Sequence, residues 1–108
     1  MATYVVDIDG TICTKTKDGT YQDIKPLKKR IEKLNKLYKA GNKIIYFTAR
    51  GMGRHHNNAF RATQNFYELT EKQLKEWNVH YNDLYLGKPA ADYYIDDKGI
   101  NDSDFFKD

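Results

Sequence analysis

Tyr4-Val5-Val6-Asp7-Ile8-Asp9-Gly10-Thr11 decides how the rest of the chain reads. It is a short apolar run ending in two carboxylates one residue apart, then a glycine. Strand residues alternate faces, so a strand carried this far points Asp7 and Asp9 the same way. Gly10 then lets the backbone turn without a Cβ penalty. Two carboxylates held together at a strand end are costly unless a cation lies between them or one takes a proton. Both outcomes suit phosphate chemistry. A calcium loop is the first rival, but it needs its glycine at the sixth position and a helix in front. Here the glycine is fourth and a strand precedes it. An acidic turn with no chemistry is the plain alternative.

Three further apolar runs stand out: Lys43 to Phe47, Leu84 to Leu86 and Tyr93 to Ile95. Each is short, rich in β-branched or aromatic residues and bounded by polar or glycine positions, as strands are. Between the first two strands, Leu27, Ile31, Leu34 and Tyr38 recur at helical spacing. Pro26 suits the start of that helix and Gly41 its end, giving Pro26 to Ala40. Thr70-Glu71-Lys72-Gln73 reads as a capping box opening a helix to about Trp77, with an earlier helical piece from Asn58 to Leu69. Asp18-Gly19 centres a two-residue turn, so Thr14 to Gln22 reads as a small β-hairpin flap after strand one. The alternation predicts an α/β fold: a Rossmann-like, three-layer α/β/α arrangement around a mainly parallel sheet. Residues 1–108 make one domain, near the usual size.

Composition narrows the options. Net charge is only +3, and the lysines between Lys25 and Lys43 fill the solvent face of the first helix, which argues against a nucleic-acid partner. No apolar run is long enough to span a bilayer, and no charged, then apolar, leader opens the sequence. Cys13 is the single cysteine, so no internal disulfide forms and a reducing cytoplasm fits. Cys13 reads as an inert thiol rather than a nucleophile.

Open α/β sheets bind ligands beyond the carboxyl ends of their strands. Strand one delivers Asp7 and Asp9 there, and strand two delivers Thr48, then Arg50. Strand three is followed by Gly87-Lys88-Pro89, and strand four delivers Asp96 and Asp97. Thr48 as a cap, Lys88 as a surface lysine and Asp96-Asp97 as a helix cap are each ordinary alternatives. Their joint occurrence is not. Asp92 reads as a surface residue at a strand entry, though it stands close enough to Asp96 to join an acidic motif.

These four segments, Asp7-Ile8-Asp9-Gly10-Thr11, Phe47-Thr48-Ala49-Arg50, Gly87-Lys88-Pro89 and Tyr94-Ile95-Asp96-Asp97-Lys98, resemble the haloacid dehalogenase-like phosphohydrolases, in that family's order. The Tyr-Ile-Asp-Asp ending and small size are similar to the capsule-biosynthesis phosphatases. The resemblance implies Asp7 as nucleophile and Asp9 as acid and base, with Thr48 and Lys88 on the transferring phosphoryl group. It implies magnesium held by Asp7, the backbone carbonyl of Asp9, and Asp96 with Asp97. It also implies substrate-side contacts from Gly10, Thr11, Ala49 and Arg50.

Relatives often carry a cap domain in one of two gaps. Here those gaps hold only what the core needs, so the expectation is a capless enzyme with an open site. A large substrate or a neighbouring subunit, as a homo-oligomer, would cover it. Gly51 to Asn58 follows the second motif at the rim, and Arg54, His55 and His56 read either as leaving-group contacts or as solvent-exposed loop residues. The expected function is hydrolysis of a small phosphorylated metabolite, a sugar or polyol phosphate in surface-polysaccharide synthesis. The alternatives are a phosphatase for protein or nucleic-acid phosphate and a silent phospho-ligand binding module.

Overall fold

A computed structural model describes residues 1–107. Three parallel strands, β1 (Thr3–Val6), β2 (Lys43–Thr48) and β3 (Asp83–Leu86), lie in the order β1-β2-β3. Two helices make the crossovers, α1 (Lys28–Lys39) and α2 (Ala59–Glu76), and a short α3 (Asp102–Phe105) follows. Among the described residues no helix is long and apolar enough to cross a membrane.

Register decides which side chains share a face. Tyr4 pairs with Ile44, Val6 with Tyr46, Tyr46 with Leu84 and Thr48 with Leu86. That set faces the core with Ile31 and Leu34 of α1 and Phe66 and Leu74 of α2. Both crossovers step in the same direction, and right-handed connections then lay both helices on one side. The opposite face carries Val5, 62% exposed, and Tyr85, 55% exposed, beside half-buried Ile45 and Phe47. The expected third layer is therefore missing among the described residues. Two layers form, and the second sheet face stays open.

Four expectations meet corrections here. The fourth strand does not form: Tyr93 to Ile95 lie in irregular backbone, and Ile95 is 94% exposed. The hairpin flap is absent as well. Thr16 Oγ1 donates to Asp23 Oδ1 at 2.6 Å and accepts from Gly19 N at 3.1 Å, while Asp18 Oδ1 accepts from Thr20 N at 2.9 Å. Side chains thus take the bonds that a ladder would have used. The same hydroxyl contacts hold Asp18 and Asp23 below the usual carboxylate range, with Thr20 the main cause for the first and Thr16 for the second.

The two helical pieces after β2 fuse into one. Thr70 does not cap, because its hydroxyl donates to Phe66 O at 2.7 Å inside the helix. Asn58 is the true cap, its side chain accepting from Arg61 N at 3.1 Å. Finally, α1 starts at Lys28 rather than at Pro26, which pairs instead with Cys13 in an isolated bridge. Its far end is as expected: Asn42 N bonds Leu37 O and Gly41 N bonds Tyr38 O, the paired bonds of a Schellman stop.

The helix α3 had no signal in the apolar pattern. It is held on α1 by Arg30, 2.7 Å from Asp102 and stacked over Phe106, and by Lys33 over the Phe105 ring. Part of the basic face of α1 is therefore spent inside the molecule. Phe105 also meets Tyr4 at 5.9 Å between ring centroids.

Tyr46 is fully buried, and its hydroxyl has no hydrogen-bond partner among the described residues. Burial also pushes that phenol up. An unpaired buried hydroxyl costs roughly 1–3 kcal/mol. Tyr46→Phe is therefore expected to raise the unfolding free energy by about 1 kcal/mol in urea titration. A loss of that size would instead show that the hydroxyl has a partner.

Candidate active site

The carboxyl ends of β1, β2 and β3 converge on a pocket of about 280 Å³ lined by Asp7, Asp9, Thr48, Ala49, Lys88 and Tyr94 among others. Gly10, at φ +82°, makes the turn after Asp9 that a side chain would resist. Gly87, at φ +100°, turns the chain after β3 so that Lys88 faces the pocket, and a Cβ there would lie 2.9 Å from that of Ala59. Lys88 N bonds Thr48 O at 3.2 Å, which ties the third motif to the second.

Lys88 Nζ stands 3.7 Å from Asp7 Oδ1 and 4.3 Å above the Tyr94 ring. Thr11 donates to Asp7 Oδ2 at 3.4 Å. Burial raises the Asp7 carboxyl above its ordinary range, opposed chiefly by the Lys88 charge. The Thr48 hydroxyl accepts from Arg50 N at 3.2 Å, which leaves its own proton free for a ligand. Thus Asp7, Thr48 and Lys88, one from each strand end, face one space.

Arg50 is the largest correction at the site. Expected as a substrate contact, it is 1% exposed and spends its guanidinium within the protein. Its Nε reaches Asp9 Oδ2 at 2.9 Å and its Nη2 reaches Asp9 Oδ1 at 3.0 Å. Its Nη1 donates to Gln73 Oε1 at 2.6 Å and Thr70 Oγ1 at 3.1 Å. Tyr21 lies under it, 4.9 Å from the guanidinium carbon to the ring centre. Tyr21 also bonds Gly51 N through its hydroxyl and Gln73 Nε2 through its carbonyl.

Gly10 and Thr11 are likewise occupied internally, Gly10 N by Cys13 O and Thr11 N by Ile8 O. Arg54 and His55 lie outside the pocket. Arg54 bonds Gly19 O at 3.0 Å, and His55 Nε2 meets Asn65 Nδ2 at 2.7 Å. Cys13 is buried and its thiol is pushed up to about 12 by burial, so it stays inert. Sequence reasoning missed four pocket residues, Lys15, Thr16, Tyr21 and Tyr94. Only tertiary packing marks them, since each sits in a segment read as flap or strand.

The expected acidic cluster does not assemble. Asp96 and Asp97 are exposed and line no part of the pocket. Asp96 Oδ1 instead accepts from Lys98 N at 2.6 Å and Gly99 N at 2.5 Å, closing its own turn. Among the described residues no group of three or more His, Cys, Asp or Glu side chains could hold a metal. With Asp96 and Asp97 outside the pocket, Asp7 and the Asp9 carbonyl are left without the other ligands of the expected magnesium site.

No family model and no curated protein matches the chain. Among solved structures it is similar to a crystal structure of a target from Vibrio cholerae, with 29% identity and a TM-score of 0.88 over 99% of this chain and 89% of that one.

Breaking the Arg50 cluster is expected to cost about 3 kcal/mol or more, because Asp9, Thr70 and Gln73 lose partners together. Denaturant unfolding of Arg50→Met checks this. Arg50→Lys should recover little, since an ammonium cannot span both oxygens of Asp9.

Proposed function

We propose that this chain is a phosphomonoesterase of the haloacid dehalogenase-like type, working through an aspartyl-phosphate on Asp7. One observation carries the reading: a half-buried carboxylate, a hydroxyl with a free proton and a lysine reach one pocket from three strand ends. Asp7 Oδ1 attacks phosphorus, and the bond to the leaving oxygen breaks. Lys88 and Thr48 bind the equatorial oxygens, whose charge needs neutralising as the anionic nucleophile approaches. Water then attacks the aspartyl-phosphate and releases inorganic phosphate. Asp9 carries protons in this reading, and it must change partners first, because both its oxygens are held by Arg50.

The substrate class, a sugar or polyol phosphate of surface-polysaccharide synthesis, rests on the resemblance to the capsule-biosynthesis phosphatases. A second reading, a non-catalytic phospho-ligand module, is favoured by the Arg50 clamp on Asp9. Tight binding without turnover would select it.

A phosphate-release screen over phosphorylated metabolites, with and without magnesium, tests the proposal. Asp7→Asn should lower turnover by at least about a thousandfold. Turnover that survives this change contradicts the proposal.

The raised Asp7 carboxyl sets two pH signs. The anion is the nucleophile, so activity should fall on acidification at a higher pH than an ordinary carboxylate dictates. Lys88→Gln should push that acid limb higher still in a kcat/KM profile, because Lys88 opposes the shift. A carboxyl raised by folding favours the fold fully below its ordinary value and loses that contribution as pH climbs through the raised one. Asp7→Asn should therefore raise Tm at neutral pH and give no gain in acid.

A further inference from the structure

The pocket holds one cation that no carboxylate among the described residues offsets. Its charged lining is Asp7, Asp9, Lys15, Arg50 and Lys88, three cations against two carboxylates. Arg50 is paired with Asp9, and Lys88 with Asp7. Lys15 is in no ion pair among the described residues. An exposed lysine on a loop is ordinarily a solvated charge on a flexible stem. Two features set Lys15 apart: where its stem lies and how its backbone is held.

The stem crosses Gly10. A Cβ on Gly10 would stand 2.8 Å from Lys15 Cε, 3.4 Å from its Cγ and 3.7 Å from its Cδ. The missing side chain of Gly10 thus makes the seat along which Lys15 runs. Its ammonium, one bond past Cε, ends beside the residue that follows Asp9. The residues on either side of Lys15 are fastened. Thr14 N donates to Lys25 O at 2.9 Å, and Lys25 N donates to Thr14 Oγ1 at 2.9 Å. Thr16 Oγ1 donates to Asp23 Oδ1 at 2.6 Å. An ammonium with a held backbone and a seated stem loses less freedom when a ligand binds it.

In the proposed reaction the phosphoryl group already has Lys88 and Thr48, and Asp9 handles the proton of the leaving oxygen. A group seated next to Asp9 therefore meets the leaving side of the substrate. We infer that Lys15 binds a second anionic group there, a carboxylate or a second phosphate within a few bonds of the ester oxygen. The substrate is then a phosphorylated sugar acid or a bisphosphate. Lys15 selects it against a neutral sugar or polyol phosphate, which leaves the ammonium without a partner. The direction of the leaving group rests on the phosphatase reading; the second anion site does not.

Paired probes test this. In the Asp7→Asn background, which blocks turnover, calorimetry compares pyrophosphate with inorganic phosphate, and phosphoglycerate with glycerol phosphate. The second anion should tighten binding about tenfold in at least one pair, and that pair names the anion. Adding Lys15→Gln should abolish the gain and leave inorganic phosphate and glycerol phosphate within about twofold. Lys15→Arg should keep most of the gain, since the charge stays. Lys17→Gln removes an exposed charge that lines no part of the pocket, and it should change neither pair. In the active chain, the phosphate-release screen should rank doubly anionic esters above neutral ones, and Lys15→Gln should level that ranking. A gain absent from both pairs, or one that survives Lys15→Gln, overturns the inference. So does an equal loss for inorganic phosphate, which would put Lys15 on the phosphoryl group, or an equal loss from Lys17→Gln, which would make the effect a general field. A chain that turns over no ester yet shows the Lys15-dependent gain overturns the phosphatase reading and leaves the second anion site standing.

Discussion

The Asp9–Arg50 pair is the constraint on which the rest of the structure depends. Asp9 belongs to the loop after β1, and Arg50 follows β2. Its other partners, Thr70 and Gln73, sit about three and four turns into α2. One buried guanidinium therefore joins the first motif, the second motif and the longest helix. Taking two charges out of water is costly, and good geometry with every donor satisfied is what offsets it. The planar fork of Arg50 meets that demand, and Tyr21 closes the remaining face. Because the pair holds the loop, Asp7 is presented to the pocket with Lys88 3.7 Å away.

The same arrangement explains what the pocket can do alone. It can hold an anion, because Lys88 and the free proton of Thr48 point into it. It holds a carboxylate, Asp7, whose charge is made costly by burial and is opposed chiefly by Lys88. It cannot by itself neutralise Asp7 with more than one lysine.

Much of this was legible in the residues. Alternation and apolar runs located β1, β2 and β3, because short strands buried on one face must carry such runs. Gly41 marked the end of α1, and Asn58 the start of the second helix. The motif residues Asp7, Thr48 and Lys88 reached one pocket as strand ends should. What failed did so for tertiary reasons. Thr70-Glu71-Lys72-Gln73 has the letters of a cap, but the Thr70 hydroxyl is claimed by Phe66 O and Arg50 in mid-helix. Asp18-Gly19 has the letters of a hairpin turn, but Thr16, Asp18 and Asp23 capture the backbone there. Arg50 read as a ligand contact because it closes the segment Phe47-Thr48-Ala49-Arg50, and nothing in a linear pattern discloses a side chain that folds back onto α2. Tyr93 to Ile95 has the composition of a strand, yet among the described residues no neighbouring strand pairs with it.

The phosphoryl group itself gives the most direct test of the account. The protein is mixed with a substrate found in the metabolite screen, quenched in acid within one turnover, digested and mapped by mass spectrometry. Phosphate should appear on the peptide containing Asp7, and Asp7→Asn should abolish it. Rapid turnover with no phosphate on that peptide, or phosphate on a different residue, would contradict the account.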